Sequence, residues 1–403
     1  MQALIQRLWH APSPLRSLSL DWPLLGGCLA LMALGLVMIT SASADMAALK
    51  EGSPYYFLVR QCLHLLAGAL AALFFLLIPL EFWQSRRVGW SLLVLSIAIL
   101  GLLLLVAKPV NGALRWFDIG PFKVQPTELV KLLVIIYLAG YLLHRQGNVR
   151  SGWKGILIPL FCLLPVGFLL NQQPDFGSIL VLFGVVGGML FLAGLNLRHL
   201  FVIVLLAAFL VALLLLDGGY RIERWIHALD PWADPYGGGY QLVQALIAFG
   251  RGGWFGVGLG ASVQKQTYLP EAHTDFILAV LAEELGFVGI LACLGLFAFV
   301  CLRALFIGIQ AERCGFPFAA WLAYGLALLW MVQVLVNFAV NLGLAPTKGL
   351  ALPFVSYGGS ALLVCCASLG LLLRIDWQCR QLFAKEQEQD DSQPDWLQGL
   401  RYE

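Results

Sequence analysis

The sequence predicts an all-α integral membrane protein, a bundle of ten transmembrane helices with a large, partly folded extracytoplasmic loop between helices 7 and 8. Three observations predict it. Of 403 residues, 60% are hydrophobic and only 12% are charged, with a mean hydropathy of +0.83, too little charge to wet a soluble globule of this size. Apolar runs of about 20 residues, each able to cross roughly 30 Å of hydrocarbon as helix, recur along the chain. One long polar passage, residues 217–273, interrupts them. The net charge of +2 selects no partner class, and no nucleic-acid partner is expected.

Residues 1–21 form a cytoplasmic N-terminal segment with Arg7 and Arg16. The first apolar run, Trp22 to about Ile39, meets Thr40-Ser41-Ala42-Ser43-Ala44, which resembles a signal-peptide cleavage site. The run exceeds the roughly 7–15 residues of such a segment, so it is a retained span. Further spans are expected at 57–78, 87–107, 126–143, 154–170, 176–193, 198–216, 274–305, 317–341 and 355–373, giving a membrane domain over 22–377. The tail, 378–403, rich in Gln, Asp and Glu, is expected to be cytoplasmic and disordered. Arg86, Arg87, Arg145, Arg150, Lys154, Arg198, Arg303, Arg313, Arg374, Arg380 and Lys385 share the side of the N-terminus, which marks that side, with both termini, as cytoplasmic. Lys50, Arg60, Lys108, Arg115, Lys123 and Lys348 are the contrary set, cations kept outside. The nine cysteines lie mostly inside apolar runs without metal-ligand spacing and read as small apolar fillers.

In the outer loop 108–131, Asn111-Gly112 and Gly120-Pro121 are turn punctuation, and Trp116 with Phe117 suits the membrane interface. Glu128 and Lys131 are three apart at the start of a span, close enough to pair. Within the polar passage, Asp230-Pro231-Trp232-Ala233-Asp234-Pro235 is turn-rich, and Tyr240 to Phe249 has an amphipathic helical period suited to the interface plane. Gly256-Val257-Gly258-Leu259-Gly260 follows no strand, which argues against a nucleotide-binding loop and for close backbone approach. Pro270-Glu271-Ala272-His273-Thr274-Asp275 carries helix-start signals, so Asp275 and Glu271 read equally well as caps. Against mere capping, Glu283 and Glu284 lie two turns into the same apolar run, where carboxylates are expensive and mark function or a buried partner. Gln333, Asn337 and Asn341 recur every four residues as a polar stripe, and the last outer loop adds Lys348 and a glycine-rich Ser356-Tyr357-Gly358-Gly359-Ser360.

Leu269 to Phe276 with Ala282-Glu283-Glu284-Leu285-Gly286, Pro346-Thr347-Lys348-Gly349 with Leu352 to Ser360, and Asn111-Gly112 to Lys131 together resemble the SEDS family of bacterial cell-wall polymerases. The resemblance covers essentially all ten spans. The wording of Pro346-Thr347-Lys348-Gly349 and Pro270-Glu271-Ala272-His273 is nearer the division-type than the elongation-type branch. It implies a peptidoglycan glycosyltransferase that polymerises lipid II, a disaccharide-pentapeptide on undecaprenyl pyrophosphate, at the outer face of the bacterial inner membrane during septal synthesis.

Under that resemblance Asp275 matches the essential aspartate and is expected to act as general base on the acceptor sugar 4-hydroxyl, ionised by its helix N-terminus. Conversion of an α-linked donor into a β-linked strand implies inversion in a single displacement. Arg115, Lys123 and Lys348 are expected on the leaving pyrophosphate, with Glu271, His273, Ser356, Tyr357, Gly358 and Gly359 lining the substrate site. Glu128, Lys131, Glu283, Gln333, Asn337 and Asn341 are expected to shape the cavity. A divalent cation, Mg or Mn, is a candidate for a ring of Asp275, Glu271 and Glu283, though no ligand spacing marks one; no organic cofactor is expected. The implied partners are a class B penicillin-binding protein transpeptidase and division regulatory membrane proteins. A lipid II flippase would want charges lining a path between the two faces, and a non-catalytic scaffold recruiting a division transpeptidase would leave Asp275 dispensable.

Overall fold

The computed structural model describes residues 20–107, 114–119, 122–203, 205, 226–266, 268–347 and 349–391. Lys108, Asn111, Gly112, Lys348, the stretch from Asp217 to Trp225 and most of the span expected at 198–216 lie outside the described residues. The nine other spans are all present. They are α1 (Trp22–Glu51), α2 (Tyr56–Leu77), α4 (Arg86–Val106), α5 (Pro126–Ser151), α6 (Trp153–Gln172), α7 (Phe176–Leu192), α9 (Ile277–Arg313), α10 (Pro317–Asn341) and α11 (Gly359–Asp391). The short α3 (Leu80–Gln84) joins α2 to α4, and α8 (Tyr240–Gly252) lies in the polar passage.

Three expectations change. A two-stranded antiparallel hairpin, β1 (Phe117–Ile119) and β2 (Phe122–Val124), pairs Asp118 with Lys123 in a chain expected to be all-α. The first helix runs through Thr40–Ala44 to Glu51, so the cleavage-site-like residues are helix interior. The last helix continues to Asp391, past the boundary expected at 377.

Burial sorts the helices into two layers. Most of α5, α10 and α11 is enclosed, whereas α2, α4 and α9 turn apolar side chains outward, as lipid-facing helices do. Helix α2 packs closely on α11: a Cβ at Gly68 would meet Cys366 Sγ at 2.7 Å, and one at Gly370 would strike the Ala72 carbonyl. At one end of the bundle Asp21 caps α1 through Leu24 N (2.8 Å) and pairs with Arg303 of α9 (2.5 Å) and Arg380 of α11 (3.4 Å). The start of the first helix and the far part of the last therefore meet at that end.

Helix α9 is broken at Gly286, whose φ of 68° interrupts the hydrogen-bond ladder. In hydrocarbon every freed backbone group needs a protein partner. The segment 253–258 supplies them: Val257 and Gly258 amides donate to the Glu283 and Glu284 carbonyls (2.9 and 3.1 Å), while Phe287 and Val288 amides donate to the Gly253 and Trp254 carbonyls (2.9 and 3.1 Å). Gly256 has the close backbone approach expected of it, since a Cβ there would collide with the Glu284 carbonyl. The amphipathic α8 buries Leu242, Val243, Ala245 and Ala248 and packs mainly on α9. Gly286→Ala combines a left-handed φ with a collision against Gly256 N, so a loss of roughly 2–4 kcal/mol is expected, read as a lower melting temperature of the purified protein.

Candidate active site

Asp275 sits in a turn before α9 rather than inside the helix. Although Pro270 and its neighbours read as a helix start, the Thr274 and Phe276 amides close back onto the Glu271 carbonyl at 3.1 and 3.3 Å. Glu271 adopts a left-handed φ of 56°, and its carboxylate accepts from Thr274 Oγ1 at 2.8 Å. The N-cap of α9 is Phe276, without a side-chain cap bond, so the Asp275 carboxyl is not consumed in capping.

The polar stripe on α10 holds this turn from behind. Asn337 Nδ2 and Asn341 Nδ2 donate to the Asp275 carbonyl at 3.3 and 3.1 Å, and Asn337 Nδ2 also reaches the Leu350 carbonyl at 2.7 Å. One helix face thus fixes both the Asp275 turn and the last outer loop. Gly349 is close enough that a Cβ would lie 3.1 Å from Asp275 Oδ2. One turn deeper, Gln333 Nε2 approaches Glu128 Oε2 at 3.4 Å, and Glu128 pairs with the fully buried Lys131 at 2.7 Å. All three are buried in the interior.

Burial pushes the Asp275 carboxyl up to about 7; the Glu271 carboxylate adds to the rise and the Arg115 guanidinium opposes it. Enclosure and a like charge thus raise an acid that a helix N-terminus was expected to keep ionised. The shift also shows that Arg115 and Glu271 bear on Asp275. Arg115 donates to the Pro174 carbonyl and keeps a buried Nε without a partner. Lys123 is exposed on β2, where the adjoining Gln125 amide donates to Ser360 Oγ at 2.8 Å.

His273 faces a different neighbourhood. Its ring packs on Phe57 (centroids 4.6 Å) and Tyr357 (5.5 Å), its carbonyl accepts from the Tyr357 amide at 3.0 Å, and burial lowers its pKa. Tyr357 contacts Arg60 and His64 of α2, residues the motifs did not single out. Their signal was a cation and an imidazole four residues apart in an apolar run. Ser356 is corrected from substrate contact to loop closure, being buried with its Oγ accepting from the Leu352 amide at 2.9 Å. Gly359 opens α11 beside His64, and Gly358 accepts from the Leu362 amide at 2.9 Å.

Glu283 does not join a ring with Asp275. Its buried carboxylate accepts from Ser262 Oγ (2.5 Å), the Val263 and Gln264 amides (3.1 and 3.2 Å) and Arg251 (3.2 Å). Glu284 is committed likewise to Lys265 (2.9 Å) and Ser41 Oγ (2.7 Å). Both pin the loop. Among the described residues no group of three His, Cys, Asp or Glu side chains is placed to hold a metal, which leaves Asp275 and Glu271 as the carboxylates of that expectation.

Residues 23–381 match the family model described as "Cell cycle protein", that of FtsW, RodA and SpoVE. The chain is 50% identical over 392 residues to the Pseudomonas fluorescens protein named "Probable peptidoglycan glycosyltransferase FtsW", covering 96% of each chain. A Halomonas elongata protein of the same name is 46% identical over 369 residues, covering 91% of this chain and 93% of that one. Among solved structures, a chain from work on the structural coordination of polymerization and crosslinking by a peptidoglycan synthase complex superposes with a TM-score of 0.75 at 32% identity, covering 90% of this chain and 99% of that one. The rod shape determining protein RodA of Thermus thermophilus gives 0.65 at 30% identity, covering 90% and 98%. With a family match along nearly all its spans and relatives of close to its own length, the chain belongs to the FtsW/RodA/SpoVE family of SEDS proteins, the family its motifs resemble.

Proposed function

We propose that this chain is a peptidoglycan glycosyltransferase that polymerises lipid II into glycan strands for septal wall synthesis. Asp275 takes the proton from the acceptor sugar 4-hydroxyl as that oxygen displaces undecaprenyl pyrophosphate with inversion. The observation that carries the reading is the Asp275 carboxyl itself. It is enclosed, free of capping, carried on a backbone whose Asp275 carbonyl accepts from two asparagine amides, and raised to about 7 with the Arg115 guanidinium opposing the rise. A base works best with a pKa near the operating pH. Arg115 and Lys348 supply positive charge for the leaving group. Mg²⁺ or Mn²⁺ would bind Asp275 and Glu271 only together with substrate phosphate oxygens, where it would neutralise leaving-group charge.

The names of the relatives support the activity, and the synthase-complex neighbour supports a crosslinking partner, a class B penicillin-binding protein. The distribution of Arg and Lys supports a bacterial inner-membrane location with cytoplasmic termini and the site on the outer side. Division regulators would act on that pair. The deeper charges speak against a flippase, because Glu128, Lys131, Glu283 and Glu284 are each satisfied by protein partners rather than lining a path. A scaffold would not need an acid anchored in this way.

Four outcomes are expected with purified protein and lipid II, with and without the partner transpeptidase. Polymerisation by the wild type rises with pH through about 7 as Asp275 loses its proton, and Asp275→Asn loses about 10²–10⁴-fold; normal polymer from that variant on a gel would end the mechanism. Asn337→Ala lets the turn drift from the Leu350 loop, lowering kcat on the order of 10- to 100-fold with little change in KM. Lys348→Ala lowers kcat by about 10²-fold, and unchanged kinetics would remove it from the site.

A further inference from the structure

Helix α2 presents Tyr56, Arg60 and His64 at four-residue intervals, with Phe57 adjoining them. The Arg60 guanidinium lies 4.7 Å from the Tyr56 ring centroid and close enough to the Tyr357 hydroxyl to act on its charge. Among the described residues it forms no ion pair, in contrast to Arg251, Lys265, Arg303 and Arg380. His64 lies one turn deeper, its ring 5.6 Å from Tyr357, with a buried Nδ1 that has no partner. Gly359 leaves room for that ring, since a Cβ there would come within 2.8 Å of Nε2. His273 reaches in from the Asp275 turn, with Lys50 and Glu271 both close enough to act on its charge.

A guanidinium without a counter-ion at the edge of a bilayer is costly unless an anion from outside completes it. Phosphate oxygens match its fork of donors. Joining two lipid-linked sugars expels one pyrophosphate and leaves the other on the acceptor, so the site has two anions to hold. Arg115 bears on Asp275, and the unpaired Arg60 bears on Tyr357, whose ring packs on His273 of the Asp275 turn. We propose that Arg60, His64 and the Tyr357 hydroxyl form a second anionic subsite that takes the pyrophosphate of the polyprenyl-linked acceptor. The proposal rests on Asp275 as the base, because His273 and Asp275 share the turn that would bring the acceptor sugar to it.

Counting bound lipid tests this without turnover. In the Asp275→Asn background, native mass spectrometry with undecaprenyl pyrophosphate is expected to show two lipids per chain, falling to one with Arg60→Gln and staying at two, with several-fold weaker binding of the second, with Arg60→Lys. Undecaprenol, lacking the anion, should bind equally with and without Arg60→Gln, and inorganic pyrophosphate should bind far more weakly than the lipid. One lipid with Arg60 intact, two with Arg60→Gln, or equal loss of undecaprenol would overturn the proposal. Inorganic pyrophosphate binding as tightly as the lipid would also overturn it, by making this a site for soluble phosphate. His64→Gln, expected to weaken the second lipid several-fold, decides the matter if Arg60→Gln melts early. Arg115→Gln retaining two lipids while Arg60→Gln retains one would remove Arg115 from the pyrophosphate and leave this subsite in place.

Discussion

Backbone hydrogen bonding where water is absent governs this structure. A helix interrupted inside hydrocarbon must recover its lost partners from another part of the chain. At Gly286 those partners come from the backbone of 253–258, and no side chain could stand between the two. From that pairing the rest of the outer half follows. Glu283 and Glu284 lie just before the break, and each gathers the 260–265 loop, through Ser262, Val263 and Gln264 or through Lys265. A passage that is polar by composition is built into the bundle.

The second organising element is α10. Its amide stripe donates outward to two backbone carbonyls, of Asp275 and Leu350, and inward to Glu128. Amides suit this position because they satisfy carbonyls and carboxylates without adding charge beside an acid whose protonation matters. The elements that hold Asp275 are thus neutral, while the groups that shift its proton affinity, Glu271 and Arg115, come from loops.

Much of this was legible in the chain. Long apolar runs marked nine of the described helices, the four-residue recurrence of Gln333, Asn337 and Asn341 marked a functional face, and the glycines at 256–260 marked close approach. Other features were hidden for physical reasons. Strands of three residues, as at 117–119, are too short to show a period. A carboxylate in an apolar run signals a partner or a cavity equally, and the partners of Glu283 lie about twenty residues upstream in a loop with no periodicity. Arg60 was marked only as one of six outer cations, and His64 was outweighed by the apolar neighbours that define its span. The rise in the Asp275 proton affinity was hidden because enclosure cannot be seen along a chain.

Helices α1 and α9 are fastened to each other twice. Asp21 meets Arg303 at one end, and Ser41 meets Glu284 at the other, about 30 Å further along α1. Two rods joined at both ends can neither slide nor roll past one another. They form a stiff frame, and the break at Gly286 lies inside it, next to the outer fastening. The other margin of the site, where Tyr357 packs on Phe57 and His64 of α2 through ring contacts, lies outside that frame.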